Sequence, residues 1–258
     1  MKVQVLMSTC HQEKLQDLKL AKRNIKKNCV IVNQFAPAYH VEKKGSTIMY
    51  SYPEKGISKS RNRLIEHATG DIGIITDDDI TFFPYYDDLL AQAYLDYPDA
   101  DVITFCTKKG SQILGSSKPG RHNLYSIMTV ASFQISFRIA SIRKHQIKID
   151  EQFGLGSTYT AGEENIFLHD CQKLGLVVRH VPIVINEHPD EPTTGERWGE
   201  DLVKAKGAFS YRILKAFHPI FFVYFLVFKH KNYRGQLNRR AFIKAYRCGV
   251  REYKNQRK

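Results

Sequence analysis

Ile72-Gly73-Ile74-Ile75-Thr76-Asp77-Asp78-Asp79 is the stretch from which the rest of the chain is read. A short apolar run of the kind that forms a buried strand leads straight into three adjacent carboxylates. Like charges this close repel, so the cluster is costly unless something offsets it. A hard divalent cation such as Mg2+ or Mn2+ does so, because it prefers oxygen ligands. Held by few protein carboxylates, it keeps positions open for phosphate oxygens and stabilises charge on a leaving diphosphate. The other reading of the triplet is an acidic loop that caps the following helix.

Outward from this strand, short apolar runs recur at 3–7, 29–32, 47–50 and 102–106. Helical spacing lies between several of them, at 14–27 through Leu15, Leu18, Leu20 and Ile25, at 58–68, and at 85–95. This alternation predicts parallel βαβ units and a doubly wound α/β sheet. Ligands of such sheets sit outside the carboxyl ends of the strands. The polar residues there are Ser8-Thr9, Asn33 and the Asp77–Asp79 cluster. Further on, 127–137 reads as a strand and 161–174 as a helix stopped by Gly175. A strand over 177–185 contains Pro182, which suggests a sheet edge. A polar loop over 190–199 and a helix over 201–216 follow.

At 258 residues and 43% hydrophobic, the chain suits one α/β domain with appendages and is not disordered. Its 5 cysteines are odd in number and contain no CxxC pair. That argues against a disulfide framework or a zinc site, and for a reducing compartment. The N-terminus turns polar at Ser8, too soon for a signal peptide, so no export is expected. No apolar run reaches the roughly 20 residues of a membrane-spanning helix. The formal charge of +13 is uneven: residues 229–258 hold eleven Lys/Arg and one Glu. Such a tail seeks anionic lipid, nucleic acid or an acidic partner.

Three segments in order are Lys55-Gly56-Ile57-Ser58-Lys59-Ser60-Arg61-Asn62-Arg63, Ala68-Thr69-Gly70-Asp71 and Ile74-Ile75-Thr76-Asp77-Asp78-Asp79. Together they resemble the core of family 2 glycosyltransferases, whose pattern is Gly, Ala/Ser-Arg-Asn on a helix, an A-x-G-[DE] turn and a strand ending in DxD. The resemblance spans Met1 to about Pro189. It implies a GT-A fold, a Rossmann-like central sheet flanked by helices, as a catalytic domain over 1–200. A helical, aromatic and basic extension over 201–258 follows. By the same resemblance Asp77 and Asp79 are the DxD ends. Asp79 would ligate Mn2+ or Mg2+, Asp77 would contact donor ribose or metal, and Asp78 would lie at the nucleotide sugar. Arg61 would face the nucleotide or its phosphate; the alternative is a surface helix residue paired with Asp or Glu. Thr9 stands where the family places a nucleotide contact. Where the family often has an Asp to bind the base, this chain has Asn33. Asn offers both a donor and an acceptor and still suits uracil, so a uridine nucleotide is expected.

Gly162-Glu163-Glu164-Asn165 opens a helix and resembles the family's Glu-Asp motif, which supplies the base of inverting enzymes. Attack by an acceptor hydroxyl needs a carboxylate to take its proton, and Glu164 takes the Asp position. Glu163 remains the other choice, and acidic residues also favour the first turn of any helix. The preceding Ile149-Asp150-Glu151-Gln152-Phe153-Gly154 resembles the family's lead-in to this motif. His188, in Asn186-Glu187-His188-Pro189, falls near a position where some GT-A enzymes have a third metal ligand; packing is the alternative. Arg197-Trp198 resembles the end of the Q-x-x-R-W motif of processive synthases. Thr194 stands in place of the Gln, which speaks against a processive polymerase. Trp198 suits stacking on an acceptor sugar, or packing on the core.

Residues 216–228, AFHPIFFVYFLVF, are apolar and aromatic, too short to span a bilayer and interrupted by Pro219. With the basic run behind them they fit a peripheral membrane segment, or else an aromatic helix packed on the domain with a solvated tail. Tyr233, Phe242, Tyr246 and Tyr253 among the Lys/Arg also suit RNA, but no nucleic-acid fold signature accompanies them. The resulting expectation is a metal-dependent, inverting transferase at the cytoplasmic face of the plasma membrane. It would move a sugar from a nucleotide sugar to a glycan or lipid-linked acceptor, as in capsule or exopolysaccharide synthesis. A nucleotidyltransferase is a rival, but Ser8-Thr9-Cys10-His11-Gln12 lacks the Gly-rich loop it would need. A non-catalytic membrane or RNA adaptor on a transferase-like fold is the other rival. The intact carboxylates at 77–79 and 163–164 count against it.

Overall fold

The structure is a computed structural model that describes residues 1–191 and 198–256. Its strands and helices begin with β1 (Val3–Cys10), β2 (Cys29–Gln34), β3 (His40–Lys44), β4 (Thr47–Ser51), α1 (Ile57–His67) and β5 (Ile72–Asp77). They continue with β6 (Thr81–Phe82), α2 (Tyr86–Asp96), β7 (Val102–Lys109), β8 (Gln112–Leu114), β9 (Gly120–Arg121) and β10 (Ile135–Arg138). After α3 (Ile139–Lys144), α4 (Glu163–Lys173) and β11 (Val178–His188) come the C-terminal helices. These are α5 (Glu200–Leu214), α6 (Pro219–Phe228), α7 (His230–Tyr233) and α8 (Arg239–Asn255).

The strands form one mixed sheet in the order β3-β4-β2-β1-β5-β10-β7-β11-β6, with β8 on β7 and β9 on β11. β4, β2, β1 and β5 run parallel, as do β7 and β11, and β10 runs antiparallel between β5 and β7. The registers Thr9↔Asn33 and Ser8↔Asp77 bring three strand ends to one edge. Both faces are covered, which is why these strands read as continuous apolar runs. Val5, Met7, Ile31 and Ile74 pack with Leu15, Tyr94 and Phe105 on one face. Leu6, Val30, Val32 and Ile75 pack with Leu64, Ile142 and Phe167 on the other. The turn before β5 is fastened to β1 by Gln4, whose side-chain oxygen accepts from Thr69 N–H at 2.7 Å and Gly70 N–H at 3.1 Å. A Cβ on Gly70 would lie 2.8 Å from the Gln4 Cβ, so the close approach requires glycine.

Several expected elements differ. Residues 14–27 are not an α-helix but two 3-10 turns, Leu15–Leu18 and Leu20–Arg23. Lys19 and Asn24 adopt left-handed φ of 48° and 57°, which ends each turn, while Leu15, Leu18 and Ile25 still reach the core. The apolar spacing there marks burial rather than helix. Where a strand is expected over 127–137, the observed strand is Ile135–Arg138, preceded by 3-10 turns at Ser126–Thr129 and Ser132–Gln134. β11 is not an edge strand, because it lies between β7 and β6. Pro182 falls where the register with β7 shifts between His180 and Val184, and the irregularity absorbs the missing N–H. Pro219 does not interrupt α6 but starts it, where a missing N–H costs nothing. The antiparallel β3 arises in a polar stretch that carries no strand periodicity.

The extension shares its core with the sheet domain. Ala205, Ala208, Phe209 and Tyr253 pack with Phe153, Tyr159 and Ile166 across residue 200. Arg212 pins α5 to the domain, with Nε 3.0 Å from Asp150 and Nη2 2.6 Å from Asp170. α5 and α8 touch backbone to backbone: a Cβ on Gly207 would overlap the Tyr246 carbonyl, and one on Gly249 the Lys204 carbonyl.

Candidate active site

Arg61 organises the site. It is 2% exposed, on the face of α1 that turns to the strand ends. Burying a guanidinium is costly unless its donors are matched by anions and acceptors. Here Nη1 donates to Glu163 Oε1 at 2.8 Å, and Nη2 to Asp77 Oδ1 at 3.1 Å and Ser132 Oγ at 2.8 Å. Burial opposes its charge, but Asp77, Glu163 and Glu164 outweigh it and hold the proton more firmly than usual. The surface-pair alternative is thereby excluded. Arg61 joins the β5 carboxylates to the first turn of α4.

Asn62, the next residue, holds the lead-in to that helix. Its Nδ2 donates to Ile149 O at 2.9 Å and Glu151 Oε1 at 3.0 Å, and its Oδ1 accepts from Ile149 N–H at 2.8 Å. Gly162 enters α4 with φ of 105°, a left-handed conformation that a side chain disfavours. A Cβ there would also sit 3.0 Å from the Phe209 ring. The motifs at 56–63 and 149–165 are thus one packed unit.

At the ends of β1 and β5, Thr9 Oγ1 donates to Asp78 Oδ2. Asn33 is fully buried, its Oδ1 accepting from Gln12 N–H at 3.0 Å. Its Nδ2 donates to Gln12 O at 2.8 Å and Ser51 Oγ at 3.1 Å. Its carboxamide therefore shapes the turn after β1. Gln34, which sequence reasoning passed over, exchanges two hydrogen bonds with Gly56 at 2.9 and 3.1 Å and fixes the loop into α1.

Of the three carboxylates, Asp77 is held by Arg61 and Asp78 by Thr9, while Asp79 faces His188. The His188 Nε2 lies 3.7 Å from Asp79 Oδ2, and Nδ1 lies 2.6 Å from Pro189 O. Since only an N–H can bond that carbonyl, Nδ1 is the donor and Nε2 points at Asp79. Burial and Asp77 raise the Asp79 carboxyl above its usual range, and His188 only partly offsets them. Among the described residues no group of three His, Cys, Asp or Glu side chains is assembled to hold a metal.

Glu163 is buried and engaged by Arg61. Glu164 beside it is half-buried, and burial followed by the Glu163 charge pushes its carboxyl up to about 8. Lys206 of α5 is the nearby cation, its ammonium pushed below its usual range by burial despite Glu164 and Glu163. Sequence reasoning missed Lys206: it lies far from both motifs in the chain and has no local signature. Trp198 is buried against Phe225 and Tyr233 at ring distances of 6.2 and 6.3 Å. It nonetheless lines a cavity of about 600 Å3 that Asn165 and Lys206 also line. Arg197, its partner in the motif, lies outside the described residues.

Residues 31–158 match the model for glycosyl transferase family 2. In three dimensions the chain is similar to the crystal structure of S. aureus TarS 1-349, with TM-score 0.63 and 16% identity over 95% of this chain and 81% of that one. It is similar also to the crystal structure of S. aureus TarS 1-349 in complex with UDP-GlcNAc, with TM-score 0.67 and 15% identity over 97% and 82%. The complex of the same protein with UDP gives TM-score 0.62 at 16% identity over 95% and 81%. At this identity the likeness establishes the fold, a GT-A sheet flanked by helices with a helical C-terminus. No curated protein matches the chain in sequence.

Proposed function

We propose that this protein transfers a sugar, with inversion, from a uridine diphosphate sugar to a hydroxyl of a glycan or lipid-linked acceptor in cell-envelope polysaccharide synthesis. The observation that carries the reading is the Arg61 bridge, which ties Asp77 at the end of β5 and Glu163 at the start of α4 to one buried cation. Fold likeness to a protein solved with UDP and UDP-GlcNAc supports the choice of donor.

In this reading Glu164, not Glu163, is the base. Glu163 is occupied by Arg61 at 2.8 Å, whereas the Glu164 carboxyl, pushed up to about 8, is matched to a neutral working pH. The acceptor hydroxyl gives its proton to Glu164 and its oxygen bonds to the anomeric carbon. The bond from that carbon to the diphosphate oxygen breaks, and the electron pair leaves with the nucleoside diphosphate. Arg61 fixes Asp77 toward the donor, and the Asn33-held turn and Thr9 border the nucleotide.

The donor set fits Mn2+ or Mg2+. Asp79 is raised by burial and by Asp77, and the Nδ1 contact of His188 with the Pro189 carbonyl leaves its Nε2 directed at Asp79. Asp79 and His188 would hold the ion, with Asp77 beside it and diphosphate oxygens completing the shell. Such an ion neutralises the leaving diphosphate.

α6 supports placement at a membrane surface. Ile220, Val223, Val227 and Phe228 are exposed, and Lys229, Lys231 and Arg234 follow immediately. Among the described residues no helix is long and apolar enough to cross a bilayer. Contact with the inner leaflet through α6 and its basic flank fits both facts.

The test is release of UDP from a panel of UDP-sugars with Mn2+, Mg2+ or EDTA. EDTA-sensitive release from one donor, lost in Asp79→Ala, is the expected result. Neither turnover nor metal-dependent donor binding, even with extracted lipid-linked glycans and other nucleotide sugars, would remove the transferase reading in favour of an adaptor.

A further inference from the structure

The cavity beside Glu164 has a composition that selects its ligand. Its walls are mostly hydrocarbon and aromatic, from Met128, Phe209, Ile220, Phe221 and Phe225. Its cations are Lys206 and Lys229, and among the described residues no carboxylate lines it. The amide nitrogen of Asn165 is already engaged, donating to Ile127 O at 2.8 Å and Val130 O at 3.1 Å. Lys206 Nζ faces aromatic rings, 5.7 Å from the centre of Phe209 and 6.0 Å from that of Phe225. No carboxylate among the described residues lies within ion-pair distance of it. Lys229 Nζ lies 5.7 Å from the ring of Tyr224 at the α6 end. Ile220 belongs both to the cavity and to the exposed apolar surface of α6, so the cavity reaches that surface.

A desolvated cation on an apolar floor is stabilised by an anion brought in with its own hydrocarbon. We propose that this cavity binds the acceptor as a lipid-linked phosphate, with the phosphate between Lys206 and Lys229 and the chain along Phe221, Phe225 and Ile220. A hydroxyl-bearing group on that phosphate then lies toward Glu164. Naming this ligand the acceptor rests on the transferase reading; its binding in the cavity does not.

Trp198 is the single tryptophan of the chain and lines the cavity, so its emission reports occupancy directly. The purified protein is titrated with dodecyl phosphate, dodecyl glucoside and inorganic phosphate, the detergents below their micellar concentrations. Dodecyl phosphate is expected to shift the emission saturably, and the neutral glucoside to need at least about tenfold more. Inorganic phosphate is expected to leave it unchanged. Lys206→Met, and Lys229→Gln at the rim, are each expected to weaken dodecyl phosphate by about tenfold. Circular dichroism checks that each variant folds, and Lys229→Gln decides if Lys206→Met does not. Equal binding of phosphate and glucoside, or no saturable shift with either, would overturn the proposal. Displacement of dodecyl phosphate by phosphatidylglycerol would assign the cavity to bulk membrane lipid and overturn the acceptor role. UDP release measured on the same samples separates the two readings. Release without dodecyl phosphate binding removes only the cavity proposal; binding without release in any assay removes the transferase reading.

Discussion

Arg61 and Glu163, 102 positions apart in the chain, meet through a hydrogen bond of 2.8 Å between Nη1 and Oε1. The contact is buried and its other branch reaches Asp77, so removing the cation leaves two carboxylates facing one another. Arg61→Met is therefore expected to cost about 3–5 kcal/mol of stability, read from the midpoint of urea unfolding. Arg61→Lys keeps the charge but not the forked geometry, and recovers only part of the loss. A midpoint unchanged in Arg61→Met would contradict a buried bridge.

Asp79 and His188 face one another across 3.7 Å, which is the basis for expecting a shared ion. Asp79→Asn is expected to abolish metal stimulation of UDP release while leaving the fold intact by circular dichroism. His188→Gln is expected to raise the Mn2+ concentration needed for half-stimulation by about 10–100-fold. If both variants titrate with Mn2+ as the parent does, the ion binds elsewhere.

Glu164 gives a pH signature of two kinds. As a base it must be ionised, so transfer rises with pH and levels above about 8, and Glu164→Gln loses about 100–10,000-fold in rate. Lys206 lowers the Glu164 value, so Lys206→Met shifts the rise to higher pH. Stability runs the other way. A carboxyl raised on folding favours the native state while protonated; that contribution is complete below its ordinary value near 4.5 and is lost as pH rises through about 8. Glu164→Gln should accordingly melt above the parent in alkaline buffer and level with it in acid. A rate profile flat across this range would argue against Glu164 as the base.

Gly207 and Gly249 let α5 and α8 touch, and through α5 they place Lys206 and Phe209. Gly249→Ala would push a methyl into the Lys204 carbonyl and force the helices apart. A loss of about 1–3 kcal/mol is expected, with weaker Trp198 response to dodecyl phosphate. Gly235→Ala, where nothing crowds the added Cβ, is the control and should be near neutral.

The exposed row on α6 predicts sedimentation with anionic vesicles that falls as salt rises. Val223→Asp with Val227→Asp should abolish it without changing UDP release from a soluble donor. Co-sedimentation that survives both changes would move the membrane contact away from α6.

Much of the sheet was legible because its parallel strands are apolar on both faces, and such runs announce themselves at 3–7, 29–32, 72–76 and 102–106. What failed were segments whose burial comes without regular hydrogen bonding. Leu15, Leu18 and Ile25 reach the core from 3-10 turns, so helical spacing misled there. β3 is polar because it is an edge, and its pairing with β4 leaves no apolar trace. Pro182 marked a bulge inside the sheet rather than its rim.

By itself the sequence determined the motifs: three carboxylates after a strand, Arg61-Asn62 on the helix before it, and two glutamates opening a later helix. Each is local, and the strand-and-helix pattern is enough to put it at the right end of its element. Which of these residues touch was decided by tertiary structure alone. Arg61 had two acidic motifs to choose from and takes both, because burying a cation is tolerable only with anions around it. The same packing occupies Glu163 and leaves Glu164 desolvated beside Lys206, a residue that no motif announces. Burial, and the charges that burial brings together, set the chemistry of these side chains, and neither can be read from spacing along a chain.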